Sequence, residues 1–446
     1  MTKKHKHKKK KQQHKKDAGK TTEVVIVGAG FAGIGCAKEL AKRHDVHVTL
    51  LDKHNYHQFL PLLYQVATYQ LSPTDVAMDL RQEFRKHKRV SVKLGEVGSI
   101  DPAARVVTLA DGGTFAGDYV VLAAGSQANF FDTPGAEHVF PLYSLDDAER
   151  LRSRLLAIFE DADRDPSLIE KGALNIVIVG AGATGTEVAG AIAELVRDVL
   201  PSEYHDLAVN EAHVIVVDLG KSVLGPFSPK AHKYASKVLT DLGVELRLET
   251  SVKEIARDHV VLSDGSTILT HCVVWGGGLK AAPLASASGL KQGRGGRIDV
   301  EPDLTVSGHP GIYAVGDIAN IPDDQGKPFP QLGSVALQAG GAVAANILAD
   351  IDGKSREPFD YHDKGIMAMI GRGAAVAEMG EHRHELHGSI AFAAWLGVHA
   401  WLMSGVRQRM DAFVSWAWDY FGKSRAPQIL DRSDAAHIDW GDEDDA

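Results

Sequence analysis

Glycines recur twice in this chain at the spacing with which a backbone turn can receive a phosphate. Gly28, Gly30 and Gly33 form a GxGxxG directly after the apolar run 24–27, and Gly180, Gly182 and Gly185 form a second directly after 176–179. In such a turn the first glycine makes the bend, the second lets a pyrophosphate approach the backbone, and the third lets helix and strand pack closely. The phosphates then meet unpaired N–H groups at the positive end of a helix. An acid follows each turn: Asp52 lies 24 residues after Gly28, and Asp218 lies 38 after Gly180. A carboxylate there can accept from a ribose hydroxyl at a usual interval of about 20, and the insertion at 200–212 accounts for the longer second one. Glu187 falls two residues past Gly185, in the first helical turn. There a carboxylate is either favoured by the positive helix end or placed beside a nicotinamide.

Such turns need a strand behind them and a helix ahead. Both apolar runs are continuous and β-branched, as strands buried on two faces are, and each leads through its turn into an Ala-rich helical segment. Second strands at 46–51 and 214–217 end at the two aspartates. The expected fold is α/β with two Rossmann-like dinucleotide-binding domains. YVVLAAGSQ (119–127) and GIYAVGDIAN (311–320) read as further strands, which end in Ala124-Gly125 and Gly316-Asp317. The segment 145–165 has helical spacing with many charges and reads as a surface connector.

A chain of 446 residues with 44% hydrophobic and 24% charged residues is long enough for two or three globular domains. Cys36 and Cys272 are its only cysteines. They form no CxxC pair, which excludes a dithiol reductase and a disulfide framework and fits a reducing compartment. Both are expected in the core, on a helix and a strand. Residues 1–16 hold nine lysines, three histidines and no acid, against a formal net charge of −9 for the whole chain. Without an apolar stretch this tail is no signal peptide; it reads as disordered and as a possible contact with an anionic lipid surface.

With these residues in view, the chain resembles the glutathione-reductase-like flavoproteins with two dinucleotide-binding domains. Within them it is similar to the type II NADH:quinone oxidoreductases, the single-subunit, non-proton-pumping NADH dehydrogenases. The specific matches are LLDKHNYHQFLPLLYQVATYQLSP (50–73), DKGIMAMIGRGAAVAE (363–378) and AWLGVHAWLMSGVRQRMDAFVSWAWDY (394–420). The resemblance implies FAD held by Gly28, Gly30, Phe31, Ala32, Gly33, Asp52, Lys53, Val97, Ala124, Gly125, Gly316 and Asp317. It implies NADH on Gly180, Gly182, Gly185, Glu187, Asp218 and Gly277. Quinone would meet Ser334, Gln338 and Lys364, and Glu187, Gln338 and Lys364 form the expected catalytic set. Where the family shows AQxxxQ, this chain has GSVALQ (333–338), so Ser334 replaces the first glutamine. A spacing of four keeps Ser334 and Gln338 on one helix face. No metal is expected, and no DxDxDG loop suggests calcium control.

The resulting map places a disordered basic tail at 1–20 and a discontinuous FAD-binding domain at 21–142 and 288–385. An NADH-binding domain follows at 143–287, membrane-association helices at 386–430, and an acidic tail at 431–446. The apolar run 390–403 is too short to span a bilayer, which takes ~20 residues. From Val406 onward, Met410, Phe413, Val414, Ala417, Tyr420 and Phe421 gather on one helix side. Gln408, Asp411, Ser415 and Asp419 gather opposite, with Arg407, Arg409, Trp416 and Trp418 at the borders. Such a helix suits the headgroup layer; a core-packed or dimer-forming helix would show the same stripe. The expected partners are membrane quinone, the lipid surface and a second copy of the chain, without nucleic acid. The expected place is the cytoplasmic face of the cell membrane, peripherally attached. The alternative is a soluble NAD(P)H diaphorase or ferredoxin-reductase-like flavoprotein.

Overall fold

Strand Thr22–Val27 runs through the middle of a five-stranded parallel sheet, which explains why its apolar run is unbroken. The strand order is Ile312–Ala314, Tyr119–Leu122, Thr22–Val27, Val46–Asp52 and Val90–Leu94. Val24 and Ile26 are fully buried. The computed structural model describes residues 21–380, 382–403, 405–422, 425, 428–430 and 434–440, so the expectations for the basic tail and for most of the acidic tail lie outside the described residues. Two compact units emerge. Among the described residues, the first comprises 21–57 together with Asp79–Ser126 and Lys280–Tyr361; the second comprises Gln58–Met78, Gln127–Leu279 and those from His362 to Trp440.

In the first unit, helix Phe31–Leu40 leaves the glycine turn and packs along helix Gly333–Ile351. Small residues make the close approach: Gly340 sits against the Ala32 carbonyl and Gly35 against that of Leu337. Gly333–Ile351 is long and apolar enough to cross a membrane by length and composition, yet this packing makes it a core helix.

The second unit repeats the plan. Phe140–Pro141, Cys272–Trp275, Asn175–Val179, His213–Val217 and Val244–Arg247 form a parallel five-stranded sheet in that order. Helix Ala183–Glu194 follows its glycine turn. Strand Gly365–Gly371 lies along that helix, with the Ile370 carbonyl against Gly190. For this reason residues from 362 cluster with the second unit, where the sequence map put 288–385 with the first. Residues 58–78 group there too, through helix Leu63–Ala67 on helix Leu145–Arg164. The latter is no surface connector. It buries Leu145, Ala148, Leu151, Leu155, Ile158, Phe159 and Ala162 along one face, and its charges line the other. Cys36 and Cys272 are fully buried, on helix and strand as read, and burial pushes both thiols up, Cys272 to about 12.

Candidate active site

Each glycine turn is built the same way, and the three glycines divide their work. A Cβ on Gly33 would overlap the Gly28 carbonyl oxygen, and one on Gly185 the Gly180 carbonyl oxygen. These positions are closed by the protein itself. A Cβ on Gly30 or on Gly182 would meet no atom within 4 Å. Both residues have extended backbone that any residue adopts, so the fold does not require glycine there. What remains to require it is a ligand passing close to the backbone.

The acids stand beside these turns. Asp52 Oδ2 accepts from the Ala29 N–H (2.6 Å) and Oδ1 from the His54 N–H (2.8 Å). Asp218 repeats this, with Ala181 N–H on Oδ2 (2.6 Å) and Gly220 N–H on Oδ1 (2.5 Å). Beneath the first turn the buried His57 Nδ1–H donates to the Ala29 carbonyl (2.9 Å), and burial lowers its pKa. Phe31 meets that ring edge-on at 5.2 Å. His57 is a supporting residue that sequence reasoning missed, because its partner is 28 positions away.

At the carboxyl ends of the first unit's strands lie Ala124, Gly125, Gly316 and Asp317, where parallel sheets hold their ligands. Asp317 accepts from Ser126 Oγ (2.8 Å), and burial raises its carboxyl pKa. Val97 opens a strand just past Val90–Leu94, while Lys53 is exposed next to Asp52. Ser334 and Gln338 are partly buried on the first turns of helix Gly333–Ile351. Ser334 Oγ is within 2.9 Å of the Tyr361 hydroxyl, so an aromatic phenol, unforeseen from the motif, extends the shortened side chain.

In the second unit Gly277 follows strand Cys272–Trp275, and Gly276 closes on Gly180. Phe131 is exposed there, with its ring where a Cβ on Gly278 would stand. Phe131 and Asp132 both hold positive φ, which few non-glycine residues adopt. Glu187 Oε1 accepts from the Met369 N–H at 3.2 Å. Burial pushes its carboxyl up to about 8. The Met369 amide and the nearby Trp395 indole pull it down in part, although the indole N–H finds no aligned acceptor. Relative to an unfolded chain the folded state thus keeps an extra proton between pH 4.5 and about 8, so this group subtracts stability as pH rises through that window. Lys364 is exposed immediately before strand Gly365–Gly371 of this unit.

Known proteins share this architecture and much of the sequence. The family described as pyridine nucleotide-disulphide oxidoreductase matches residues 22–340. Type II NADH:quinone oxidoreductase NdhA of Mycobacterium tuberculosis is 38% identical over 91% of this chain and 89% of its own length. The chain belongs to the type II NADH:quinone oxidoreductases. A second Mycobacterium tuberculosis member, Ndh, is 37% identical over 90% of this chain and 89% of its length. Among solved structures, NDH2 from Plasmodium falciparum, described in complex with NADH, superposes with a TM-score of 0.83. It covers 92% of this chain and all of that one at 18% identity, a likeness of fold. A sulfide:quinone oxidoreductase from Aquifex aeolicus has the same fold at a TM-score of 0.71. The disulphide in the wider family's description has no counterpart here, since Cys36 and Cys272 are far apart in sequence and sealed in the core.

The two stretches most specific to type II NADH:quinone oxidoreductases turn out to be packed on one another. Trp416 Nε1–H donates to Gln65 Oε1 (2.8 Å), Gln70 Nε2–H to Asp419 Oδ2 (3.3 Å), and Ser415 Oγ–H to Asp75 Oδ2 (3.3 Å). Asp419 also meets Arg425 at 3.4 Å and Arg372 at 3.5 Å, while Glu194 accepts from the Arg372 amide. Helix Val406–Gly422 therefore turns its polar side inward and leaves the apolar stripe outward. Asp419, expected opposite the apolar stripe, is 1% exposed, and Trp416, expected at the border, is 2% exposed. Met410, Phe413, Val414 and Trp418 are exposed. Helix Ser389–Leu402 adds exposed Ile390, Trp401 and Leu402 while burying Trp395, on which His399 stacks at 3.9 Å.

Proposed function

We propose that the chain oxidises NADH through FAD and passes two electrons to a membrane quinone without pumping protons. The reading is carried by the two glycine turns whose middle glycines, Gly30 and Gly182, stand before open space that the protein does not fill. The first unit would hold FAD at Gly28, Gly30, Gly33, Asp52, Ala124, Gly125, Gly316 and Asp317. The second would hold NADH at Gly180, Gly182, Gly185, Asp218 and Gly277. When bound, FAD supplies the step between a two-electron hydride donor and a quinone. The backbone turns orient both nucleotides, and the buried walls exclude water. Glu187 keeps a proton at neutral pH and presents an uncharged carboxyl to the nicotinamide side. Gln338 and Ser334 of the first unit would receive the quinone, and the outward apolar face of Val406–Gly422 would lie in the lipid headgroup layer at the cytoplasmic surface.

The donor should be NADH. Asp218 is an acid where the adenosine ribose is expected, and it would repel a 2′-phosphate. The ratio of kcat/KM values is expected to favour NADH over NADPH by at least about tenfold, equivalent to ~1.4 kcal/mol. Equal values would remove the assignment of Asp218.

The acceptor is tested by half-reactions. Gln338→Ala should slow reoxidation of the reduced flavin by quinone about tenfold or more, the loss of one well-placed hydrogen bond. Reduction by NADH should stay within about twofold. Rapid-mixing spectroscopy separates the two steps, and slowed reduction would reassign Gln338 to the nucleotides. Ser334, in place of a glutamine, favours the second reading, a soluble diaphorase. Turnover with artificial acceptors but with no quinone would establish that reading instead.

A further inference from the structure

We propose that the second unit carries an anion-binding site for a small organic phosphate monoester at the amino-terminal edge of its sheet. A cavity of about 340 Å³ opens there, in the ~300–1,000 Å³ range of small-molecule sites. Its rim includes His271, which immediately precedes strand Cys272–Trp275, and Glu137 to Val139, which precede the paired strand Phe140–Pro141. Parallel sheets hold dinucleotides at their carboxyl ends, so this cavity lies at the edge away from Gly276 and Gly277.

The charges are unevenly matched. Asp439 pairs with Arg257 at 3.3 Å, and Glu137 lies 3.7 Å from His138. Asp439 is thus paired, and the exposed Glu137 is balanced only when His138 carries a proton. Arg150 and Arg154, four residues apart on helix Leu145–Arg164, share one helix face. Neither forms an ion pair among the described residues. Arg154 lies over the Phe140 ring, 5.1 Å from its centroid, and its Nε is buried without an acceptor. A buried guanidinium donor left unpaired is costly, and an anion would satisfy it. Burial also lowers the Arg154 pKa, and the neighbouring Arg150 adds to this, while Asp161 only partly offsets it. Two unpaired guanidinium groups match a dianion, and a phosphate monoester carries about −1.5 to −2 at neutral pH.

Part of the wall is the chain's own strap, with Ala435, His437, Ile438 and Asp439 in the lining. Trp440 fixes it: its indole N–H donates to Asp161 Oδ2 (3.0 Å), its carbonyl accepts from Lys171 Nζ (3.2 Å), and its ring lies 4.4 Å from that of His271. Phe140 and Ile438 supply apolar surface for the body of an ester.

Phenyl phosphate is the probe, titrated calorimetrically into the FAD-loaded protein with NAD⁺ at saturation to occupy the dinucleotide site. One saturable site is expected. Arg150→Gln and Arg154→Gln should each weaken it at least about tenfold, with NADH oxidation unchanged. Arg150 is exposed, so its variant tests the site even if Arg154→Gln disturbs packing on Phe140. Absence of saturable binding to the parent protein, or undiminished binding to Arg150→Gln, overturns the proposal.

Discussion

Gly30→Val is expected to purify as a folded, colourless protein with NADH oxidation at background. A Cβ at this position meets nothing within 4 Å, and its φ of −72° and ψ of −168° are open to valine. The chain alone therefore offers no objection, and the change should cost no more than about 1 kcal/mol of stability. The space it fills is the one a pyrophosphate would use, so flavin retention should collapse. Gly33→Val is the contrasting variant: its side chain would overlap the Gly28 carbonyl oxygen, so it should lose the fold along with the flavin. Visible absorbance of the purified protein and a thermal melt by circular dichroism separate the two outcomes. Full flavin content in folded Gly30→Val would place the cofactor elsewhere. In the second turn Gly182 stands before the same open space. Gly182→Val should stay yellow yet no longer be bleached by NADH.

The second large effect is expected at helix Val406–Gly422. Phe413 and Trp418 point outward, and each would bury apolar surface in lipid worth about 2 kcal/mol. Phe413→Glu with Trp418→Glu should thus lower partitioning onto anionic liposomes about 100-fold or more, with flavin content and melting temperature unchanged. Asp419→Ala on the inward side should do the reverse. It takes from the buried Arg425 the nearer of its two carboxylate partners, leaving Glu194 at 4.0 Å, and should cost ~3–5 kcal/mol, while the lipid-facing residues stay intact. Co-sedimentation with liposomes and size-exclusion chromatography read both. A double variant that sediments like the parent would exclude lipid docking through this face. Loss of a dimer without loss of sedimentation would make it a subunit contact.

Legibility followed the range of the interactions. The glycine turns, their strands and the aspartates could be read because each signal lies within one βαβ unit. The stripe on Val406–Gly422 was visible as a period, but which side faces inward was not. Its inward partners, Gln65, Gln70, Asp75 and Arg372, lie far away in sequence. Asp419 looked like a solvent residue because a lone acid gives no hint of the arginines that will enclose it. The same blindness hid the buried face of Leu145–Arg164, whose many charges masked a regular apolar row. Ser334 could be seen as a departure from its motif. Its partner Tyr361, 27 residues on, could not.

The seating of the last long helix, polar side inward, bears on how the protein would respond to ionic strength. Asp419, Glu194 and Arg425 meet where solvent does not reach, and buried pairs are screened far less than surface ones. The outward side offers aromatic and aliphatic surface, whose preference for burial strengthens in strongly hydrated salts such as sulfate or phosphate. Neither the buried pairs nor the apolar contact weakens as salt rises. Of the proposed contacts with a membrane, the lysine-rich beginning of the chain and the exposed Arg407 would be sensitive to it, so a change in ionic strength would tune how the protein arrives at a surface more than how firmly the apolar face of this helix holds it there.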